Sequence, residues 1–133
     1  MKNLERQAIK FIPLTEAPYL ILASLTDPRH GYGIMQDGKA VSEGRVTIGP
    51  GALCGALTNL LKLKLIRRCG EQGDGDSRRK IYTLTALGEK VLVIEGERLL
   101  SLSKLAVTAF LLYAMVRLAL VTSRLKRAKT IAA

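Results

Sequence analysis

The sequence predicts a mainly α-helical chain with one small β-hairpin, an α+β fold, followed by a long C-terminal helix. Up to residue 63, apolar residues recur at spacings of three and four, which is typical of helices with one buried side. Two short runs of β-favouring residues then flank a polar, glycine-rich segment at 70–77. Beyond Glu97 neither proline nor glycine interrupts the chain. Because the chain has 133 residues, 48% of them hydrophobic, we expect one compact domain over 1–95 and an accessory helix over 96–133.

The first two helices are predicted from spacing and from prolines. Residues 3–11 carry apolar side chains at helical spacing, and Pro13 ends that segment or begins the next one. Thr15 is a suitable N-cap, and Pro18 falls in the first turn, where its missing N–H is not needed. Residues 19–25 are apolar on most sides, so the second helix should be buried, and the Asp27-Pro28 pair should end it.

The next segment predicts a helix over 32–41 and then a short strand. Ile34, Met35 and Val41 are placed to point inward. His30, the only histidine, is interpreted as a turn residue rather than a metal ligand. Residues 45–48 are short and β-branched, which favours a brief strand.

A further helix begins at the Gly-Pro-Gly sequence of residues 49–51, because proline suits the first helical position. Leucines at 53, 57, 60, 61 and 63 form its apolar stripe. The remaining faces carry small, polar and basic side chains, which leave the backbone free to approach a nucleic-acid groove closely; these are Ala52, Gly55, Thr58, Asn59 and Lys62.

The hairpin is predicted from two strands, 65–69 and 80–84, with a flexible polar tip between them. In the second strand Ile81 and Thr83 alternate with Tyr82 and Leu84, and Tyr82 is assigned to the core. Thr85 then caps a helix. The resulting order of helix, helix, short strand, helix, hairpin and helix is that of a winged helix-turn-helix, with basic residues 78–80 beside the wing.

The charge of the chain favours an anionic partner. Lys and Arg total 21 against 11 acidic residues, a net charge of +10, and such an excess suits nucleic acid or an anionic membrane surface. Cys54 and Cys69 cannot form a disulfide framework or a four-ligand zinc site, so both are interpreted as small packing residues. No nucleophile–His–acid set, phosphate loop or metal-ligand pair is present, which argues against an enzyme and against a cofactor. The N-terminus lacks a signal-peptide pattern, so we expect a cytoplasmic protein.

Four segments together resemble the PadR family of transcriptional regulators. They read LASL at 22–25, HGYGI at 30–34, GPGALCGAL at 49–57 and RRKIYTLTALG at 78–88. The resemblance covers about residues 15 to 95. Ala52 and Cys54 stand where the family usually has Thr and Tyr, which removes two candidate phosphate contacts. The glycine that commonly precedes the Leu-Ile pair is also absent, so Lys64 must make that turn.

The resemblance implies a bacterial, dimeric repressor that binds a double-stranded DNA operator through the helix from residue 50 and through the wing. Base edges would be read in the major groove, while cations and the helix N-terminus hold phosphates. The residues expected at DNA are Tyr32, Pro50, Gly51, Ala52, Thr58, Asn59, Lys62, Arg78, Arg79 and Lys80.

The C-terminal helix has two interpretations. Relatives in the family dimerise through such a helix, and some respond to small aromatic or drug-like ligands, for which Tyr19, Phe110 and Tyr113 are the candidates here. Residues 105–121, with Arg117 as their one charged residue and a basic segment after them, also approach the length of a membrane span, although dimerisation is favoured over membrane attachment. A winged-helix module that binds protein rather than DNA is the remaining alternative.

Overall fold

The computed structural model describes residues 2–73 and 79–132 of the chain. It confirms a mainly helical fold with a small antiparallel sheet and a long C-terminal helix. The chain divides into two compact units, Met1–Gly96 and Glu97–Ala133. The elements in chain order are α1 (Lys2–Ile9), α2 (Glu16–Ser24), β1 (Arg29–His30), α3 (Gly31–Val41), α4 (Pro50–Lys62), β2 (Ile66–Gln72), β3 (Arg79–Leu84) and α5 (Ala86–Ala132).

The sheet has the strand order β1-β3-β2, and both pairings are antiparallel. β3 lies in the middle because β1 and β2 both pair with it, and Tyr82 and Leu84 are buried on one of its faces as predicted. Ile66 pairs with Leu84, so both strands of the hairpin send apolar side chains to the same face. The register shifts by one residue between Arg68 and Gly70, which makes Cys69 the extra residue of a β-bulge.

The core of the first unit is formed by one apolar cluster to which every helix and both hairpin strands contribute. Burying this much apolar surface is the main source of its stability. Glu95, on α5, is also fully buried, and its Oε1 accepts a hydrogen bond of 3.1 Å from the backbone N–H of Leu14. The cluster consists of Ala8, Ile21, Leu22, Leu25, Ile34, Leu53, Leu57, Leu60, Leu65, Ile66, Tyr82, Leu84 and Val91.

The strand predicted at 45–48 is wrong, and the short strand of the fold is β1 instead. The backbone N–H of Val46 donates to the Ser42 hydroxyl at 3.0 Å, so a local turn takes the donor that a sheet would need. β1 pairs with β3 through Arg29 opposite Tyr82 and His30 opposite Ile81. Val41, which was expected to point inward, is 74% exposed at the end of α3.

Helices α3 and α4 both end in a Schellman motif built on a residue other than glycine. At the end of α4, the N–H of Leu65 bonds to the Leu60 carbonyl and that of Lys64 to the Leu61 carbonyl, both at 3.0 Å. Lys64 has a φ of 61°, which confirms the prediction that it makes this turn. Glu43, with a φ of 55°, occupies the equivalent left-handed position after α3.

Thr85 joins the end of α4 to the start of α5. Its backbone N–H donates to the Leu65 carbonyl at 3.0 Å, and its hydroxyl donates to the Lys64 carbonyl at 2.6 Å. The hydroxyl oxygen also accepts from the N–H of Gly88 at 3.0 Å, which confirms the predicted cap. A Cβ added at Gly88 would lie 1.9 Å from the Leu65 carbonyl oxygen, so only glycine permits this approach.

The part of α5 in the second unit carries exposed side chains at every residue from 101 to 131. This helix is long and apolar enough to cross a membrane, judged by length and composition, with a mean hydropathy of 2.0 over its most apolar 18 residues. Buried helices of soluble proteins can meet the same criteria.

Candidate nucleic-acid interface

The N-termini of α3 and α4 have different caps. At α3, the Nδ1 atom of His30 accepts a hydrogen bond of 3.2 Å from the N–H of Gly33, so His30 is a helix cap in β1 and not the turn residue that was expected. At α4, Gly49 is the N-cap and supplies no side-chain acceptor, and Pro50 is the first residue. The first turn of α4 holds no acidic residue, so its free N–H groups can donate hydrogen bonds to an anion.

The exposed face of α4 is the one that its sequence predicts. Leu53, Leu57 and Leu60 are buried, while the small and polar residues between them face solvent. The Thr58 hydroxyl donates to the Cys54 carbonyl at 2.8 Å, which leaves its oxygen as an acceptor. The exposed positions of α4 are Pro50, Gly51, Ala52, Cys54, Gly55, Thr58, Asn59 and Lys62.

An open groove of about 570 Å³ lies between the starts of α3 and α4 and the hairpin. It brings together five of the residues predicted to touch DNA, namely Tyr32, Pro50, Thr58, Arg79 and Lys80. Three cationic side chains line it, and none of the described lining residues is acidic. The groove can therefore attract an anion without competition from carboxylates of its own. The other lining residues are His30, Gly31, Met35, Leu53, Cys54, Leu57, Leu61, Arg68 and Tyr82.

Gly51, Ala52, Asn59 and Lys62 do not line this groove but share the exposed surface of α4. Arg78, which was also predicted at DNA, lies outside the described residues.

Two groove residues were missed from the sequence. Arg68 lies opposite Tyr82 in the ladder, which sends its side chain to the groove side of the sheet; the pairing register would have revealed this, but the sequence does not give the register. Cys54 was interpreted as a packing residue, as was Cys69, but both thiols are exposed. Cys54 follows the buried Leu53 on α4, whereas Cys69 lies between the exposed residues Arg68 and Gly70 of β2.

Arg45, between α3 and α4, has its charge engaged away from the groove. Its Nη2 forms an ion pair with Oε1 of Glu16 at the start of α2. The hydrogen bond from Arg45 holds the pKa of the Glu16 carboxyl below its ordinary value, and the same contact raises the pKa of Arg45.

The residues proposed for a small ligand lie on two helices. Tyr19 is half-buried in α2, whereas Phe110 and Tyr113 are 70% and 63% exposed on α5. The guanidinium carbon of Arg117 lies 5.9 Å from the centroid of the Tyr113 ring. A ligand site built from these aromatic residues stays a prediction. Across residues 2–73 and 79–132, no group of three or more His, Cys, Asp or Glu side chains could hold a metal ion.

Comparison with known proteins identifies relatives of the first unit. An uncharacterized 37.1 kDa protein in a transposon of Streptomyces fradiae is 37% identical over 89 residues, which is 66% of this chain but only 24% of that protein. A transcriptional regulator from Clostridium thermocellum superimposes with a TM-score of 0.58 at 24% identity, covering 70% of this chain and 90% of that one. PadR of Bacillus subtilis, in complex with operator DNA, gives a TM-score of 0.52 at 24% identity, covering 60% and 46% of the two chains.

The family match covers the elements that build the groove. The transcriptional regulator PadR-like family matches residues 20–93, from α2 through the start of α5 and therefore more than half of the chain. The solved relatives share the arrangement of helices and wing. The chain belongs to the PadR-like family of transcriptional regulators, which are winged-helix DNA-binding proteins.

Proposed function

We propose that this protein is a sequence-specific repressor that binds its operator as a homodimer in the cytoplasm. The observation that carries the proposal is the groove beside α4. Arg68, Arg79 and Lys80 line it together with the start of the helix, which has no side-chain cap, and none of the described lining residues is acidic. A phosphate backbone matches this pattern of charge, and the small exposed side chains of α4 allow the helix to enter a major groove.

Each part of the surface has its own role in this proposal. Thr58, Asn59 and Lys62 read base edges, because they form the exposed polar face of α4. Phosphates are held by the backbone N–H groups of Gly51 and Ala52 beside Pro50, which has no N–H of its own, by the Tyr32 hydroxyl and by the cations of the wing. Arg78 is assigned to the wing cations from its sequence position alone.

The dimer is proposed to form through residues 97–132, as the resemblance to the family implies. Two-fold symmetry then presents two α4 helices about 34 Å apart, one turn of DNA. A dimer on its operator blocks transcription, and a small aromatic or drug-like ligand that prefers the unbound form would release it.

The test is a binding titration on a labelled duplex from the region upstream of the protein's own gene. We expect saturable binding that survives competitor DNA, and log K should fall with log salt with a slope of about −5 for about six phosphate contacts. Weak binding that is equal on any duplex would contradict the proposal.

Arg68→Gln supplies a matched test of the groove. It should weaken binding to every duplex and reduce the salt slope by about one for each phosphate that the side chain no longer neutralises. Lys10→Gln is the control, because it removes the same charge from an exposed position outside the groove. Equal effects of the two variants would show that net charge alone drives binding.

A further inference from the structure

Residues 105–123, here called the apolar run, hold a single charged residue, Arg117. At a rise of about 1.5 Å per residue, a helix of this length measures about 28 Å. The hydrocarbon core of a bilayer is about 30 Å thick, so the run matches it closely. All described side chains of the run are exposed.

The apolar run is apolar on every side. With about 100° between successive residues of a helix, its large apolar side chains leave no gap wider than about 60° around the axis. A helix that pairs with one partner needs only a stripe of apolar residues, and its other sides are polar. A second copy would therefore cover one stripe of the run and leave the rest in water. The large side chains are Leu105, Val107, Phe110, Leu111, Leu112, Tyr113, Met115, Val116, Leu118, Leu120 and Val121.

Both threonine hydroxyls of the run are engaged within the helix. The hydroxyl of Thr108 donates to the Lys104 carbonyl at 3.0 Å, and that of Thr122 to the Leu118 carbonyl at 2.9 Å. The helix satisfies its own backbone groups, as the hydrocarbon core requires. The Arg117 guanidinium has the face of the Tyr113 ring as a neighbour on the same helix.

The segment that follows the run is strongly basic. Arg124, Lys126, Arg127 and Lys129 come within six residues, and no acidic residue occurs after Glu97. A basic cluster at the end of an apolar helix matches the charge of an anionic headgroup layer.

We propose that the apolar run inserts into a bilayer of anionic phospholipid and tethers the DNA-binding unit to the membrane. Lipid covers all sides of the helix at once, which a single protein partner does not. The basic cluster lies among the headgroups at one end of the run. Pairing of two copies within the membrane is compatible with this arrangement, because it would use one stripe.

Flotation of the full chain with vesicles tests the tether. With phosphatidylglycerol–phosphatidylethanolamine vesicles, most of the protein should float and should remain bound after a wash in 1 M salt or alkaline carbonate. Leu111→Lys places a charge in the run and should reduce the floated fraction at least severalfold. Val93→Lys is the matched control, since Val93 is an exposed position of α5 in the first unit, and it should float normally.

The depth of insertion is measured with an introduced tryptophan, because the chain has none. Met115→Trp, near the middle of the run, should be quenched about twofold more by lipids brominated deep in the acyl chain than Leu125→Trp, in the basic segment two residues beyond the run. Equal, weak quenching at both positions would overturn the proposal.

A soluble oligomer is the competing outcome. If the full chain stays in the soluble fraction as a discrete dimer or tetramer in the presence of vesicles, the run is covered by protein and the tether is excluded. Equal recovery on phosphatidylcholine vesicles would overturn the role of the basic cluster. A thermal unfolding transition of Leu111→Lys that matches that of the parent shows that the first unit of the variant is folded.

Discussion

At the scale of single residues, Lys64 holds a conformation that its side chain disfavours. Its φ of 61° lies in the left-handed region, where a Cβ crowds the backbone and where glycine is the usual choice. The two hydrogen bonds of the Schellman motif hold it there, together with the buried pair Leu60 and Leu65.

Lys64→Gly should therefore raise the free energy of unfolding by up to about 1 kcal/mol, because it removes this strain. Chemical denaturation measures the change. Lys62→Gly is the control: it puts glycine in the last turn of α4 and should lower stability by about 1 kcal/mol. A loss of stability in both variants would contradict the account of the turn.

Two further substitutions test which residues recognise bases and which contact phosphates. Asn59→Ala should change the preference among operator variants, because Asn59 is exposed on the C-terminal half of α4. Arg79→Ala should weaken binding on all sequences, because a wing cation contacts phosphate. Competition binding over a set of single-base variants separates the two effects, and uniform losses from both substitutions would remove Asn59 from base recognition.

The contact of Glu16 with Arg45 makes stability depend on acid pH. The hydrogen bond from Arg45 lowers the pKa of Glu16 in the folded protein. The contact therefore contributes to folding stability above the pKa of Glu16 in the unfolded chain, and this stability is lost as the pH falls through the lower pKa of the folded protein. NMR titration should find the Glu16 pKa below its ordinary value of 4.5, and Arg45→Ala should return it towards that value. An unchanged pKa in Arg45→Ala would show that the ion pair does not persist in solution.

At the scale of elements, the close contact between α5 and the end of α4 depends on Gly88. An alanine there would put its Cβ against the backbone carbonyl of Leu65, which cannot move without breaking the bond from Thr85. Gly88→Ala should cost about 3 kcal/mol or more of unfolding free energy, measured by denaturation.

Gly38→Ala is the comparison for Gly88. Gly38 lies within α3, and its added Cβ would be 3.9 Å from Ile48 Cδ1, an ordinary contact. This variant should gain up to about 1 kcal/mol from helix propensity. Similar losses of unfolding free energy in both variants would mean that the loss at Gly88 does not come from a clash with the Leu65 carbonyl.

Helices and hairpin could be predicted from the sequence because each carries its own signal. The leucine spacing of α4 fixes its buried face, and the alternation in β3 fixes the burial of Tyr82. The strand β1 has only two residues and exists because β3 offers it an edge, so no local pattern can reveal it. Residues 45–48 have strand-like composition, but Ser42 supplies the hydrogen bond that Val46 needs.

The residues of the candidate site were also predictable only where a local sequence pattern places them. Residues on one helix, such as Thr58 and Asn59, follow from its periodicity, and Arg79 and Lys80 follow from the hairpin. Arg68 could not be found, because its side depends on the pairing of β2 with β3.

At the scale of the whole molecule, the proposed dimer makes a prediction about DNA. Hydroxyl-radical footprinting on the operator should show two protected segments related by two-fold symmetry, with centres about one helical turn apart. The two α4 helices of a dimer account for this spacing. A single protected segment would contradict a two-fold dimer. So would two segments whose separation is not a whole number of helical turns.

The bulge at Cys69 bears on how the wing tolerates changes in length. Before it, Arg68 pairs with Tyr82, and after it Gly70 pairs with Ile81, so β2 contains one residue more than its partner. Loss of the single codon for Cys69 would convert the hairpin to a regular ladder with every other pair intact. Loss of a codon elsewhere in β2 would instead give a new partner to every residue between the deletion and the bulge. Among the described strands, this is the position where we expect insertions and deletions of one residue to accumulate between related genes.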